Sequence, residues 1–565
     1  MSQNEQQAAP LARVPTPSTL VGNPYLAPRD GRCLINDLPT ELLAQIFVLG
    51  ANMDDPIDED EEIDEDSVDS EIEEDEDKDG DEEGDDDDEK PPFEVTVSHV
   101  CKLWRDVAIN TPTLWSGLDF SEGLPYTKSA VYLGRSKGAP LDISIDVTKD
   151  EEDEETNLND PVPALAELMV CSDELEAILK LIIPHVSHWR SLELMVSEYV
   201  LMHSALLQMG ACACAPMLEV LQLYHYEDSE EGEETFTPPK FKQQDFVLFH
   251  GHAPKLTHVA LWGVHLDWAA STFLSGLVEL ELAYHAKDVR PPFRDFARIL
   301  RDSPEIETLT LCQSGPVGGP VEWLESVLGP DAMQTGEPSE PEACTTLALP
   351  SLKNLVVAFL EPEYSKHLVE RLALPSLASL AIDLEEADGT ALLQTLTRPS
   401  PTTGKSVLGG LQALKIAGVQ CEEGTVIADA YAALTNLTAL NLNFDFVSTR
   451  WYDALIVQWE SVASSSKDPL LPKLDSLTTT GLPGKDVRKL IEVRMAMGRP
   501  LKQVFMNQDD DLEDEDEEWI KKNVDEFEYF EGSDEENMEI DGIDIDLLEE
   551  EEGGHEQDGD EWEDV

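Results

Sequence analysis

One short phrase returns ten times between residues 216 and 506 and limits what this 565-residue chain can fold into. Its frame is an apolar residue, two unrestricted residues, an apolar residue, one unrestricted residue and an apolar residue, as in "PMLEVLQL" at 216–223. The last two apolar positions alternate with a free residue, which predicts a short strand with one face directed into a core. Because the phrase recurs, this part of the chain is built from repeats.

Proline and helix-like segments separate the copies. Stretches such as "RDFARILRDS" at 294–303 have the character of helices between two strands. In six copies a proline two residues before the first apolar position ends the preceding segment, and these are Pro216, Pro254, Pro304, Pro350, Pro375 and Pro472. A unit of one strand and one helix cannot bury its apolar side alone, so copies spaced about 20 to 45 residues apart must stack. The expected fold class is α/β, with a solenoid over residues 121–508.

A separate helical segment precedes the repeats. Pro39 in a first turn, Asn36 or Asp37 as a cap and Glu41 near the positive helix end predict a helix start. The apolar residues that follow recur at three-to-four spacing, which places them on one face that needs a partner. These residues are Leu38, Leu42, Leu43, Ile46 and Phe47.

An acidic tract interrupts this segment. Residues 54–90 hold 26 Asp or Glu against two Lys, and a tract with so little to bury is expected to be disordered. A second amphipathic pattern opens at Ser98 and closes at Pro112, with a stripe formed by Val100, Leu103, Trp104, Val107 and Ala108. Extending a short loop to the length of this tract costs roughly 2 kcal/mol, which burial of one large apolar side chain offsets. The tract is therefore predicted to be inserted between helices that pack together.

The two halves, "LPTELLAQIF" and "VSHVCKLWRDVAINTPTLW", resemble an F-box. That family has Leu-Pro-x-Glu, an apolar helix, Val-Cys-x-x-Trp-Arg and a final Leu-Trp, and the acidic tract falls where it has a short loop. The resemblance implies a three-helix module over residues 33–120 that binds the Skp adaptor of an SCF ubiquitin ligase. The residues that it assigns to adaptor binding are Leu38, Pro39, Leu42, Leu43, Ile46, Phe47, Val100, Cys101, Trp104, Leu114 and Trp115. A generic buried helical hairpin is the alternative.

The repeats resemble leucine-rich repeats, and residues 132–147 and 177–196 are similar to segments that follow the F-box in the large F-box family of mushroom-forming fungi. The resemblance implies a horseshoe whose strands line a concave, target-binding surface. The asparagine that leucine-rich repeats have after each strand is replaced here, so an irregular solenoid is expected. The replacing residues are Tyr226, Val264, His285, Ser314, Leu360, Glu385, Val419 and Asp445.

Charge limits the partners. The formal net charge is −80, and residues 509–565 hold 30 acids against two Lys, so we expect a disordered acidic tail there, as we do for the leader 1–32. Affinity for nucleic acid comes largely from clustered Lys and Arg, so basic protein partners are favoured over nucleic acid. The sequence has no run of about 18 apolar residues, and eight scattered cysteines fit a reducing compartment. We expect a cytoplasmic or nuclear protein, or both, without membrane attachment.

Several residues invite a chemical hypothesis. Cys212 and Cys214 with His225 form too loose a set for a structural zinc site, which needs four ligands at tight spacing. His185 and His188 fit the turn that begins a repeat, and Cys101 fits a small apolar residue on a packed helix face. Common catalytic and phosphate-binding motifs are missing, so we expect no enzyme, cofactor or metal. Ser533, in "SDEE", has the acidic context of an acidophilic kinase site.

Two functions from different classes remain open. The leading hypothesis is a substrate-recognition subunit of an SCF-type E3 ubiquitin ligase, in which the helices hold the Skp adaptor and the repeats hold a protein target. The alternative is an acidic chaperone or scaffold that binds basic proteins such as histones through its tracts. A receptor needs the adaptor-binding helices but not the acidic tracts. A chaperone needs the acidic tracts but not the adaptor-binding helices.

Overall fold

Two compact units make up the chain. The computed structural model describes residues 34–53, 91–148, 161–225, 234–243, 247–328, 346–399, 404–444, 447–463 and 470–530. The unit called here the helical module comprises residues up to Leu118 together with Lys128–Pro140. The unit called the sheet domain comprises Asp119–Thr127 and the chain from Leu141 onward. The predicted leader 1–32, the insert 54–90 and Ser533 lie outside the described residues.

Four helices and a short strand are described in the helical module. They are α1 (Thr40–Met53), α2 (Phe93–Val100), α3 (Lys102–Ile109), α4 (Thr127–Ser136) and the strand β1 (Gly117–Leu118). The prediction of one helix opening at Ser98 is wrong. The helix α2 has already begun at Phe93, and the helical conformation is interrupted at Cys101. Cys101 has an extended backbone with φ −159° and ψ 171°, which ends α2 before α3 begins.

Parallel strands form the sheet domain, and they lie side by side in the order of the sequence. All ten copies of the repeated phrase form strands of this sheet, and the expected α/β class is confirmed. The strands of the large sheet in this domain are β2 (Leu141–Val147), β3 (Trp189–Val196), β4 (Val220–His225), β5 (His258–Trp262), β6 (Glu279–Ala283), β7 (Thr308–Cys312), β9 (Asn354–Ala358), β11 (Ser379–Asp388), β12 (Ala413–Gln420), β13 (Ala439–Asn443), β14 (Ser476–Thr480), β15 (Gln503–Asn507) and β16 (Glu526–Phe530). The two-residue strands β8 (Leu347–Ala348) and β10 (Leu372–Ala373) pair with each other.

Strand register aligns the apolar residues of successive repeats. Leu280 of β6 pairs with Val259 on one side and with Leu309 on the other, and all three side chains are buried. The same row runs from β4 to β15 through Leu221, Val259, Leu280, Leu309, Leu355, Leu380, Leu414, Leu440, Leu477 and Val504. Neighbouring strands of a sheet lie about 4.8 Å apart, so their aligned apolar side chains form a core that is continuous along the domain.

Several strands are each followed by a residue with a left-handed backbone conformation, which extends the hydrogen bonding to the next strand. Gly263, Tyr284, Gln313 and Phe359 come directly after β5, β6, β7 and β9 and have φ values of 62°, 52°, 45° and 52°. Each of them donates its backbone N–H to the carbonyl oxygen of the last paired residue on the following strand, at 2.8–3.0 Å. The turn out of each strand is therefore fixed by the next repeat.

Helices cover the apolar face between strands. Phe293, Phe296, Ala297, Ile299 and Leu300 of α7 are all buried, as expected for one apolar stripe at helical spacing. The helices are α5 (Pro161–Ile182), α6 (Tyr199–Ala211), α7 (Phe293–Arg301), α8 (Pro320–Leu328), α9 (Pro362–Val369), α10 (Thr390–Thr397), α11 (Gly424–Ala433), α12 (Arg450–Ala463), α13 (Gly484–Ala496) and α14 (Asp514–Asn523). Within the described ranges, no helix combines the length and apolar character that crossing a lipid bilayer requires.

The prediction of a disordered tail from residue 509 is wrong for residues 509–530. This segment forms α14 and β16, and β16 pairs in parallel with β15. Ile520 of α14 is fully buried. Arg488 pairs with Asp516 at 2.8 Å and lies 4.9 Å from the Trp519 ring centroid. Pairing with β15, burial of Ile520 and the contacts of Arg488 thus hold this acidic segment, and the rest of the predicted tail lies outside the described residues.

This correction predicts a measurable stability difference. A chain ending at residue 508 should unfold at a lower temperature than a chain ending at 530, because it loses strand β16 and the burial of Ile520. Burial of one large apolar side chain contributes about 2 kcal/mol, so the free energy of unfolding should fall by at least that amount. Thermal unfolding followed by circular dichroism measures it. Equal midpoints for the two chains would show that residues 509–530 add nothing to the fold.

Candidate functional site

An apolar stripe on α1 is exposed to solvent in the helical module. Leu42, Ile46, Leu49 and Met53 recur at three-to-four spacing, and their exposed fractions are 47%, 43%, 63% and 82%. Val100 at the end of α2 is 57% exposed, and Leu103 in α3 is exposed as well. Isolated surface leucines are common, but a full-length apolar stripe on one helix is typical of a binding surface.

The opposite side of α1 forms the core of the module. Leu43 and Phe47 are buried, and so are Val107 and Ala108 of α3. The Phe47 ring centroid lies 5.0 Å from that of Trp104. The prediction that Leu42 and Ile46 share the buried face with Leu43 and Phe47 is therefore wrong. Positions one residue apart on a helix differ by about 100° in direction, so the two pairs lie on adjacent faces.

Cys101 and Trp104 connect the helices. The Cys101 sulfur accepts a hydrogen bond from the backbone N–H of Trp104 at 3.5 Å, and Cys101 thereby caps α3. The half-buried Trp104 donates its indole N–H to the side-chain oxygen of Asn36 at 2.9 Å. Cys101 is thus a capping residue rather than the packed apolar residue that was predicted. Asn36 holds Trp104 rather than capping α1.

Trp115 anchors the end of the predicted motif. It is fully buried, and its indole N–H donates to the Ala108 carbonyl oxygen at 2.8 Å. Tyr132 of α4 meets its ring edge to face at 5.0 Å, and the Arg135 guanidinium lies 4.2 Å from the ring centroid. Leu114 beside it is buried too. These two residues are core, and a partner cannot reach them without unfolding the module.

The predicted adaptor set therefore divides. The exposed members are Pro39, Leu42, Ile46 and Val100, the half-buried members are Leu38, Cys101 and Trp104, and the buried members are Leu43, Phe47, Leu114 and Trp115. Sequence reasoning missed Leu49 and Met53, although both continue the spacing of Leu42 and Ile46. The three-to-four spacing could have identified both residues, but Met53 lies directly before the acidic tract and the apolar pattern was ended too early.

In the sheet domain, buried polar groups link neighbouring repeats just after their strands. His285 places Nε2 2.9 Å from the Val264 carbonyl oxygen and Nδ1 2.9 Å from the Ser314 hydroxyl. Because a carbonyl only accepts, Nε2 carries the proton of the neutral ring and Nδ1 accepts from Ser314. Arg290 donates to the carbonyl oxygens of His285 at 3.0 Å and Gln313 at 2.6 Å. Other side chains thus hold the repeats together here.

Two further histidines lie buried beside this group. His265 places Nε2 2.8 Å from the Lys242 carbonyl oxygen and Nδ1 3.2 Å from the Tyr199 hydroxyl. His225 meets the Tyr199 ring edge to face at 5.2 Å. Burial lowers the pKa of His225 and His265 to about 4 and that of His285 to about 3. These three rings are neutral packing groups at physiological pH.

The cysteine and histidine candidates from the sequence are not brought together as a site. Cys212 donates its thiol to the Gln208 carbonyl oxygen at 3.4 Å, and His250 holds the Cys212 carbonyl oxygen at 2.9 Å. His185 and His188 lie in a 3-10 turn that leads into β3, where a repeat was predicted to begin. Within the described ranges, no three His, Cys, Asp or Glu side chains are grouped so as to hold a metal ion.

No protein-family model matches the chain, and no curated protein is significantly similar to it.

The buried histidines predict a loss of stability in mild acid. Their folded-state pKa values lie below the usual value of about 6.5, so below that pH the unfolded chain takes up protons that the folded chain does not. Stability should therefore be full above pH 6.5 and fall as the pH drops from 6.5 towards 4. The substitution His285→Asn supplies an N–H donor and an oxygen acceptor but no group that takes up a proton in this range. It should reduce the fall in thermal midpoint between pH 7 and pH 5.

The exposed His252 supplies the matched control. His252→Asn makes the same substitution at a ring exposed to solvent, so a change common to both variants is not due to the burial of His285. All three chains share the same carboxylates, so the difference between them isolates the histidine. Identical curves for the wild type and His285→Asn would contradict a neutral, buried His285.

Proposed function

We propose that the chain is a non-catalytic receptor subunit of an SCF-type ubiquitin ligase, with the helical module binding the Skp adaptor and the sheet domain binding a protein target. The observation that carries the proposal is the exposed apolar stripe of α1, Leu42, Ile46, Leu49 and Met53. Its sequence lies within the Leu-Pro-x-Glu segment and helix that resemble an F-box, and a stripe of this kind needs a partner.

The division between exposed and buried residues supports the same partner. Leu43, Phe47, Leu114 and Trp115 build the core that holds α1 in place, while the stripe stays open. A generic buried hairpin would have no reason to leave four large apolar residues of one helix in water, because burying each contributes about 1.5–3 kcal/mol. The sheet domain then remains to hold the target.

Substitutions on the stripe test adaptor binding. Leu42→Asp together with Ile46→Asp should abolish co-purification with the Skp adaptor, because two charges would be desolvated in an apolar contact. The matched control is Gln45→Asp with Asn52→Asp, which adds the same charges to exposed polar positions of α1. The control should bind like the wild type. Undiminished adaptor recovery with the Leu42 and Ile46 variant would reject the proposal.

The acidic composition favours the chaperone alternative. Removing the two acidic tracts distinguishes this alternative from the receptor hypothesis. A chain that lacks residues 54–90 and 531–565 should keep adaptor binding, because the stripe is apolar and α1 can be joined to α2 by a short loop. The association rate of a basic protein such as a histone should fall, since the tracts provide a long-ranged field at low salt. Stopped-flow mixing at two salt concentrations measures that rate.

The outcomes assign the two functions to different parts of the chain. Adaptor binding that survives tract removal belongs to the receptor hypothesis. If the shortened chain loses adaptor binding while histone association is unchanged, both the receptor hypothesis and the role given to the tracts are wrong. A chain that binds histones through the tracts but never binds the adaptor would be the acidic chaperone.

A further inference from the structure

A row of aromatic rings lies on the face of the sheet that points away from the leucine core. Trp262 at the end of β5 has its ring centroid 5.0 Å from Tyr224 and 5.5 Å from Tyr284. Trp262 and Phe359 pack against small buried side chains that line up at or near the ends of the next strands, and these are Ala283, Cys312, Val356, Ala358 and Ala381. We call Trp262, Tyr284 and Phe359, with this floor, the aromatic patch.

The backbone under the patch is unusual for the residues it carries. Tyr284 and Phe359 both have φ 52°, in the left-handed region that disfavours bulky side chains. The corresponding residues after β5 and β14, and after Ala417 in β12, are Gly263, Gly481 and Gly418, which take this conformation at little cost. Tyr284 and Phe359 thus place large rings at a position that glycine or, after β7, Gln313 occupies in other repeats, and strain of this kind is concentrated at functional sites.

Three carboxylates act on the floor of the patch. Burial raises the pKa of the Cys312 thiol, a hydrogen bond with the Tyr284 side chain opposes that shift, and the charges of Glu281, Asp383 and Glu385 raise it further. Glu281 lies on β6 two residues before Ala283, and Asp383 pairs in register with Ala358. The basic residue on the neighbouring strand is Lys415, which pairs with Ala381. The patch is therefore aromatic in the middle and acidic at its margin.

We propose that the aromatic patch binds an arginine-bearing segment of the target protein. A guanidinium stacks on aromatic faces and pairs with carboxylates, and the patch offers both kinds of group. Tyr284 is 38% exposed and Trp262 and Phe359 are half-buried, so the rings can be reached from solvent. The inference rests on the proposed function, because it names the class of target that the sheet domain would hold.

Photo-crosslinking of the full-length chain tests the proposal without interference from the acidic tracts. The probe is a nine-residue peptide of alternating arginine and glycine with a central benzoylphenylalanine, used at 150 mM salt. Tryptic digestion places patch crosslinks in residues 256–287 and 354–366, separate from crosslinks in the tracts. A peptide with serine in place of arginine should not label these two segments. Labelling by the serine peptide at the same yield would overturn the proposal.

Charge variants test the acidic margin. Glu281→Gln, Asp383→Asn and Glu385→Gln together should lower patch labelling at least about five-fold, because the cation loses its counter-charges. The amide oxygen that Asp383→Asn introduces can still accept the backbone N–H of Glu385, which Asp383 holds at 3.0 Å. The matched control, Glu305→Gln, Glu423→Gln and Glu518→Gln, removes the same charge from exposed positions outside the patch. Equal patch labelling in the two triple variants would overturn the proposal.

Ring variants test the aromatic centre. Tyr284→Asn with Phe359→Asn removes both rings and places at each left-handed position a residue that tolerates it. Patch labelling should again fall at least about five-fold. Gln313→Asn is the matched control, since Gln313 occupies the same left-handed position in the repeat between them. Tract labelling should be equal in all chains, and patch labelling that is unaffected by loss of the rings would overturn the proposal.

Adaptor co-purification on the same preparations separates this inference from the receptor function. Adaptor binding without patch labelling overturns the inference alone. Patch labelling without adaptor binding removes the receptor function, and the patch remains as a site for arginine-bearing segments whose biological role is then a different one.

Discussion

In the large sheet, each inner strand completes its backbone hydrogen bonds on the two strands beside it, and the rest of the structure depends on this pairing. The apolar row from Leu221 to Val504 is continuous only because the register keeps one side chain of every strand in line. The turn out of a strand is fixed by the next strand as well, as Tyr284 shows by donating its N–H to the Cys312 carbonyl oxygen. A repeat lacking its neighbour would lose core, strand pairing and turn together.

The same dependence explains the end of the sheet. Without β16, strand β15 would present unpaired N–H and C=O groups beside the apolar Val504 and Met506, which invites pairing with other chains. Strand β16 covers that edge, and its own outer residues include the exposed Glu526 and Glu528, which discourage further strand addition. Segment 509–530 therefore belongs to the fold, because its strand β16 covers the edge of β15.

The ten strands could be predicted because their leucines follow a period of two and return in a fixed frame. Three features could not, since they depend on contacts with residues distant in sequence. Segment 509–530 is acidic on average, and only its packing shows that Ile520 is buried. The break at Cys101 depends on a sulfur that accepts the Trp104 N–H. His285 is held because the Val264 carbonyl oxygen accepts from its ring and the Ser314 hydroxyl donates to it. In the helical module, periodicity located α1 but gave Leu42 and Leu43 the same face, because hydrophobicity alone does not distinguish a buried apolar face from an exposed one.

Charge acts on two length scales in this chain. The tracts carry many carboxylates, but at physiological salt their field decays over about 8 Å, so they can gather a basic protein without orienting it. In the proposed site, Glu281, Asp383 and Glu385 would pair with a guanidinium stacked on the rings, and short contacts of that kind lengthen residence rather than speed encounter. A receptor with both features would capture basic proteins broadly and retain those whose arginine reaches the patch. Selectivity would then reside in the sheet domain, and the acidic tracts would set the rate at which candidates are sampled.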